Sequence, residues 1–302
     1  MVTVTAETPV AAPPKRTPGL YPGVSYGDYA SRFEGARAST LKHFERSAAH
    51  ARQETLYPRT SKDMEFGTAW HTAALEPEAF AAGFVRELEG FDFRTTEGKA
   101  ARSAFRLQHG GKAVVAAGDF DRIVAMAELL HQHETAAGLL SARGANEVVA
   151  LWDDAQTGVR CRARIDRFCE FMGWSWVIDL KTTVNASSQG WPREVQKYAY
   201  AEAAAFYLDG LEALDPRPRR FLWLAQEKQP PFAVAIHEPD DETLAYGRRR
   251  YRRHLRAYAE AMRTDCWPAY PAGVLPTSLP GWAIREESQR PDEDDEETEE
   301  TA

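Results

Sequence analysis

Alternation of apolar and polar residues is clearest between Glu147 and Thr182, EVVALWDDAQTGVRCRARIDRFCEFMGWSWVIDLKT. It predicts three consecutive antiparallel strands. The first covers Glu147 to Trp152 and ends at the Asp-rich, Gly-ended turn DDAQTG. The second runs from Val159 to Phe168, and a tight turn near Met172-Gly173 leads into the third, Trp174 to Thr182. Side chains alternate between the faces of a strand. Val159, Cys161, Ala163 and Ile165 therefore share one face, and Arg160, Arg162, Arg164 and Asp166 the other. On the third strand Trp176, Ile178 and Leu180 lie opposite Val177, Asp179 and Lys181.

Helical periodicity surrounds this core. Ser39 is positioned to cap a short helix, TLKHFERS. Ser61 to Leu75 reads as a helix with Met64, Gly67, Thr68, His71 and Leu75 on one face. Thr95 to Ser141 is helical, interrupted at His109 to Gly111 and again at Gly118-Asp119, where Asp119 is the expected N-cap. Ser188 to Leu211 reads as one long helix. Phe221 to Gln226 and Phe232 to His237 extend the sheet, and Asp240 or Asp241 caps a last helix reaching about Arg263. The expected class is mixed α/β, a central sheet with helices on both sides.

Composition narrows the picture. No run of about 18 apolar residues exists, so no membrane span is expected. The N-terminus lacks the charged segment and apolar stretch of a secretory signal. Three cysteines without C-x-x-C spacing argue against disulfides and a zinc site, and fit a reducing cytoplasm. The net charge of −8 comes from the run DEDDEETEE, Asp292 to Glu300, which carries eight acids; the rest of the chain is neutral. The expected organisation is a disordered segment at 1–18, one domain at 19–285 and a disordered acidic tail at 286–302.

An Asp and a Lys two residues apart, Asp179 and Lys181, project from the same strand face, and Asp166 can meet them from the neighbouring strand. Paired carboxylates suit a hard divalent cation bound through oxygen, and a nearby ammonium can orient water and neutralise developing charge. That combination suits phosphodiester hydrolysis. A lone D-x-K is more often the solvent face of a strand; its conjunction with Asp166 and His71 singles it out.

The I-D-L-K strand, with Arg164-Ile165-Asp166 on its neighbour, resembles the PD-(D/E)xK nuclease superfamily and, more narrowly, the RecE-type exonucleases of the exonuclease VIII group. Glu65 to Phe80 is similar to that family's GxxxH helix. Ala203 to Gly210, Gly247 to Tyr251 and Trp267-Pro268 are similar to further family segments, so the resemblance runs from about Tyr21 to Ile284. It implies a restriction-endonuclease-like core and a catalytic set of Lys181, Asp179, Asp166, His71, Glu147 and Gln196. Asp166, Asp179, His71 and Leu180 would hold Mg²⁺, with Mn²⁺ as a substitute. One departure concerns the family's Q-x-x-x-Y motif: Ala203 stands four residues before Tyr207 where relatives have Gln. Gln196 and Tyr200 form the same spacing one register earlier, two turns from Ala203 on the same helix face, so either Gln196 substitutes from farther away or that polar contact is missing.

The resemblance further implies Mg²⁺-dependent 5′-to-3′ degradation of duplex DNA ends, yielding single strands for an annealing protein in phage-type recombination. Relatives form rings, so a homo-oligomer is among the expected partners. Arg160, Arg162, Arg164, Arg248, Arg249 and Arg252 are candidate DNA contacts. Five arginines within residues 248–253 exceed what internal pairing is expected to absorb. Two rival readings use the same residues: a restriction-like or structure-dependent endonuclease, and a DNA-binding accessory protein with a decayed site.

Overall fold

A computed structural model of the chain describes residues 16–289. The expected disordered segment at 1–18, save its last three residues, and the acidic run at 292–300 lie outside them. The chain divides into two units, Met1–Ala269 and Tyr270–Ala302. Within the second, the described residues include one helix, Gly281–Ser288 (α12).

The strands of the first unit are β1 (Gly19–Tyr21), β2 (Phe84–Arg86), β3 (Ala113–Val115), β4 (Gly144–Asp153), β5 (Arg160–Phe171), β6 (Trp174–Thr183), β7 (Arg220–Glu227) and β8 (Val234–His237). Its helices are α1 (Tyr26–Arg32), α2 (Ala38–Leu41), α3 (Ala48–Leu56), α4 (Lys62–Leu75), α5 (Pro77–Gly83), α6 (Thr96–Gln108), α7 (Ala117–Gln132), α8 (Glu134–Ser141), α9 (Trp191–Tyr198), α10 (Tyr200–Leu214) and α11 (Asp241–Thr264). Six strands form the central sheet in the order β1-β4-β5-β6-β7-β8, and β2 and β3 form a separate parallel pair. Within the central sheet β6 and β7 are parallel, joined across α9 and α10, and every other neighbouring pair is antiparallel. The sheet is therefore mixed and flanked by helices, as expected.

The predicted hairpins form with the predicted turns. Met172 and Gly173, both at positive φ, make the two-residue β5–β6 turn, a geometry that favours Gly at its second position. The sorting of faces also holds. Cys161, Ala163, Ile165 and Val177 pack under α10 and α11 with Phe206, Leu211 and Tyr251. Trp176, Ile178 and Leu180 pack on the opposite side against Trp70 of α4 and Ile123, Met126 and Leu130 of α7.

Several local expectations are overturned. The helix predicted over Ser188 to Leu211 begins at Trp191 and breaks at Ala199, which adopts φ 62° and ψ 36°, a left-handed conformation that costs a non-glycine residue about 1–2 kcal/mol. Gln196 and Ala203 thus lie on separate helices and do not share a face. α7 runs straight through Gly118-Asp119; Asp119 lies in its first turn and pairs with Arg122. On α4 the buried face is Phe66, Ala69, Trp70 and Ala73, whereas Met64 is exposed. α11 has the predicted cap, Asp240, whose carboxylate accepts from Thr243 N at 2.8 Å. Its Gly247 lets the α10 backbone at Ala201 approach where a Cβ would collide.

Candidate active site

The site forms where the sheet parts. The β5–β6 ladder ends at the pair Arg167↔Ile178. One residue further along each strand, Asp166 and Asp179 leave the ladder. The Asp166 carboxylate takes over the missing backbone partner, with Oδ2 accepting from Leu180 N at 2.8 Å. On β4, Glu147 interrupts the β4–β5 register between Asn146↔Arg167 and Val148↔Ile165, and it does so at φ 54°. A non-glycine residue held there stores strain of the kind that collects at functional sites.

Three carboxylates, Glu147, Asp166 and Asp179, are thus buried beside one another. Burial raises the pKa of Asp166 and, together with the charge of Asp166, lifts Asp179 to about 6 against the pull of Lys181. Burial and Asp166 raise Glu147 to about 8, although Arg164 opposes them. Lys181 Nζ lies 2.6 Å from Asp179 Oδ2 and 3.2 Å from the Leu180 carbonyl oxygen. Burial disfavours its charge, but Asp179 and Asp166 outweigh that and hold its pKa above the ordinary lysine range. His71 approaches from α4, its Nδ1 3.6 Å from Asp166 Oδ2, too long for a hydrogen bond. Burial, then Lys181, depress its pKa to about 4, so the imidazole is neutral near pH 7.

The donor set fits a hard divalent cation. Asp179 Oδ2 and Glu147 Oε2 are buried without a well-directed hydrogen bond despite their neighbouring cations, which leaves carboxylate oxygens with lone pairs to give. Among the described residues no three His, Cys, Asp or Glu side chains stand together so that they could hold a metal ion by themselves. Mg²⁺ does not need three, because it is held by one or two carboxylates and keeps several waters.

The structure brings together His71, Glu147, Asp166, Asp179, Leu180 and Lys181. It does not bring Gln196, which is exposed on α9 and lines a cavity with Trp191, Trp223 and His237. The Q-x-x-x-Y spacing instead delivers its tyrosine: the Tyr200 ring sits 5.3 Å from Lys181 Nζ. Tyr200 was legible only as half of that motif. Tyr207, the tyrosine of the family's Q-x-x-x-Y motif, has its hydroxyl pushed to a higher pKa by burial and then by Asp179.

The arginines are mostly engaged. Arg162 is buried, donates to the Tyr29 and Phe33 carbonyls and lies over the Tyr29 ring, so it ties α1 to the sheet and cannot face DNA. Arg160 pairs with Asp153. Arg164 binds Glu147 at 2.7 Å beside the carboxylates. On α11, Arg248 pairs with Asp209, Arg252 with Asp154 and Asp209, Arg250 with Glu202, and Arg253 with Glu45. Internal pairing absorbs four of the five, contrary to expectation. Arg249 is exposed and unpaired among the described residues.

A mixed sheet carrying D-x-K on one strand and an Asp on the next defines the class: a PD-(D/E)xK-type nuclease domain, a phosphodiester hydrolase by fold. The chain belongs to the family described as "PDDEXK-like domain of unknown function (DUF3799)", whose model matches residues 38–274. It is similar to the crystal structure of a protein described as a "Putative exonuclease" from Eubacterium rectale, with TM-score 0.56 and 13% identity over 86% of this chain and 97% of that one. At that identity the likeness speaks for the fold. A second solved structure, SSO0001, overlaps 72% of this chain and 83% of its own at 15% identity, and its TM-score of 0.28 is too low to bear on the fold. No curated protein sequence matches the chain. No helix among the described residues is long and apolar enough to cross a membrane.

Proposed function

We propose that this chain is a Mg²⁺-dependent deoxyribonuclease that degrades DNA from duplex ends. The observation that carries the reading is the convergence of buried Asp166 and Asp179 with Lys181 at the point where the β5–β6 ladder opens. Asp166 and Asp179 would hold the cation, with neutral His71 and the Leu180 carbonyl beside them. When bound, the ion acidifies a water and stabilises charge developing on phosphorus. Lys181, kept charged by its carboxylate neighbours, is a donor rather than a base; it orients the attacking water and offsets negative charge in the transition state. Arg164, paired with Glu147, places positive charge near Asp166. Gln196 has no part in this set.

The exonucleolytic mode draws support from the description of the Eubacterium rectale neighbour. The 5′-to-3′ direction, the supply of single strands to an annealing partner in recombination, and a ring of several copies follow from the RecE-type resemblance. The test is digestion of an end-labelled linear duplex beside a covalently closed circle, with and without Mg²⁺. Loss of the linear substrate alone, and only with Mg²⁺, is the expected result; cutting of the circle makes the protein an endonuclease.

A further inference from the structure

Tyr198 and Tyr200 stand on either side of the break between α9 and α10. Two residues apart on a continuous helix, they would project about 200° from each other around its axis. Ala199, at φ 62°, replaces that geometry with a stacked one: the two ring centroids lie 5.5 Å apart and the planes are 26° from parallel. The inner ring, Tyr200, also stacks on buried Trp191 at 5.7 Å and lies 5.3 Å from Lys181 Nζ. The outer ring belongs to Tyr198, which is 39% exposed. Lys197 Nζ lies 4.7 Å from its centroid, on an exposed side chain that an arriving ring can push aside.

A run of stacked rings therefore leads from Lys181 to the surface. Hydrophobic burial does not account for its outer member, because a tyrosine left so exposed gains little, while Ala199 carries the cost of a left-handed backbone. A half-open aromatic two ring contacts from the proposed site is instead a platform. Unpaired bases stack on such platforms whatever their sequence, because every base has a π-face. We infer that Tyr198 stacks on an unpaired base of the strand being cut, in a nucleotide adjoining the scissile phosphate at Asp166, Asp179 and Lys181. This rests on the nuclease reading above. Tyr198 then holds the strand end in register with Lys181 through its bases, with no demand on which base arrives.

The experiment measures binding in Ca²⁺ and single-turnover cleavage in Mg²⁺ for the parent, Tyr198→Leu and Tyr198→Trp on a duplex with an unpaired end. Each protein meets the intact strand and strands with an abasic residue placed in turn along that end. The parent should lose about tenfold in affinity at one abasic position, the size of one lost base–aromatic stack. Tyr198→Leu should lose as much on the intact strand, and the abasic residue at that position should then cost it nothing further. Tyr198→Trp should keep both the parent's affinity and its abasic sensitivity. The salt slope should be the same for all three, since no phosphate contact is lost. Equal losses by Tyr198→Leu on intact and abasic strands would show that Tyr198 acts only through its packing on Tyr200, and would overturn the assignment. A parent indifferent to abasic residues at every position overturns it too. A parent that binds with this base dependence but never cleaves sinks the nuclease reading and leaves the stack standing. A parent that binds no DNA overturns both.

Discussion

Gln226 joins the helix that carries His71 to the sheet that carries Lys181. It is fully buried on β7; its Oε1 accepts from Trp70 Nε1 at 2.9 Å, and its Nε2 donates to the carbonyls of Met126 at 2.8 Å and Phe232 at 3.2 Å. Trp70 immediately precedes His71 on α4, so this bond sets how α4 stands over the carboxylates. Gln226→Leu leaves the buried indole N–H without an acceptor, at a cost of about 1–3 kcal/mol, and removes two further bonds of about 1 kcal/mol each. The expected loss is about 3–4 kcal/mol, since the Met126 and Phe232 carbonyls retain other acceptor capacity. Urea unfolding should show a lower midpoint at constant slope. Trp70→Phe deletes the donor, so the double variant should recover about 1–2 kcal/mol relative to the sum of the single changes. A cost below about 0.5 kcal/mol for Gln226→Leu, or no coupling with Trp70→Phe, would refute the claim that this bond docks α4.

The remaining predictions concern charge. Glu147, lifted from an ordinary 4.5 to about 8, binds a proton in the folded state that the unfolded chain has released, so metal-free stability falls as pH rises through that window. His71 pulls the other way only below its ordinary 6.5, so between pH 6.5 and about 8 the fall belongs to the raised carboxylates, Glu147 and its neighbour Asp166. Glu147→Gln should flatten the stability profile there in EDTA; a slope identical to the parent's contradicts the shift. Arg162→Ala should lower stability by roughly 3 kcal/mol through its two carbonyl bonds while leaving the DNA salt slope unchanged. Arg249→Ala should do the reverse, and the same salt series reads both. Lys181→Ala should slow single-turnover cleavage by about 10²-fold or more with little effect on binding in Ca²⁺. Lys181→Arg should rescue poorly because a planar fork does not replace a compact ammonium; parent-like cleavage by that variant rules out the water-orienting role.

The β4–β6 meander was legible because alternation, the Asp-rich, Gly-ended turn DDAQTG and a Met-Gly turn all pointed the same way. β1 was not, because Gly-Leu-Tyr is too short to show a period and pairs only through its contact with β4. The break at Ala199 carries no Gly or Pro; tertiary packing, not local propensity, places that residue in the left-handed region. Its consequence was the misplacing of Gln196. The α11 arginines misled for a different reason. Their partners Glu45, Asp154, Glu202 and Asp209 come from three separate stretches of chain, two of them on α10, and only the folded arrangement makes them neighbours. The carboxylate cluster itself was visible as residue types on adjacent strands, but the ladder opening that buries it was not.

The most direct measurement is cleavage by Asp179→Asn, a change that keeps the shape of the side chain and removes its charge. In Mg²⁺ it should abolish release of label from a linear duplex, while circular dichroism stays native and binding in Ca²⁺ is retained or tightened. Near-normal Mg²⁺-dependent cleavage by a folded Asp179→Asn protein would contradict the assignment of the Asp166–Asp179–Lys181 cluster as the site of phosphodiester hydrolysis.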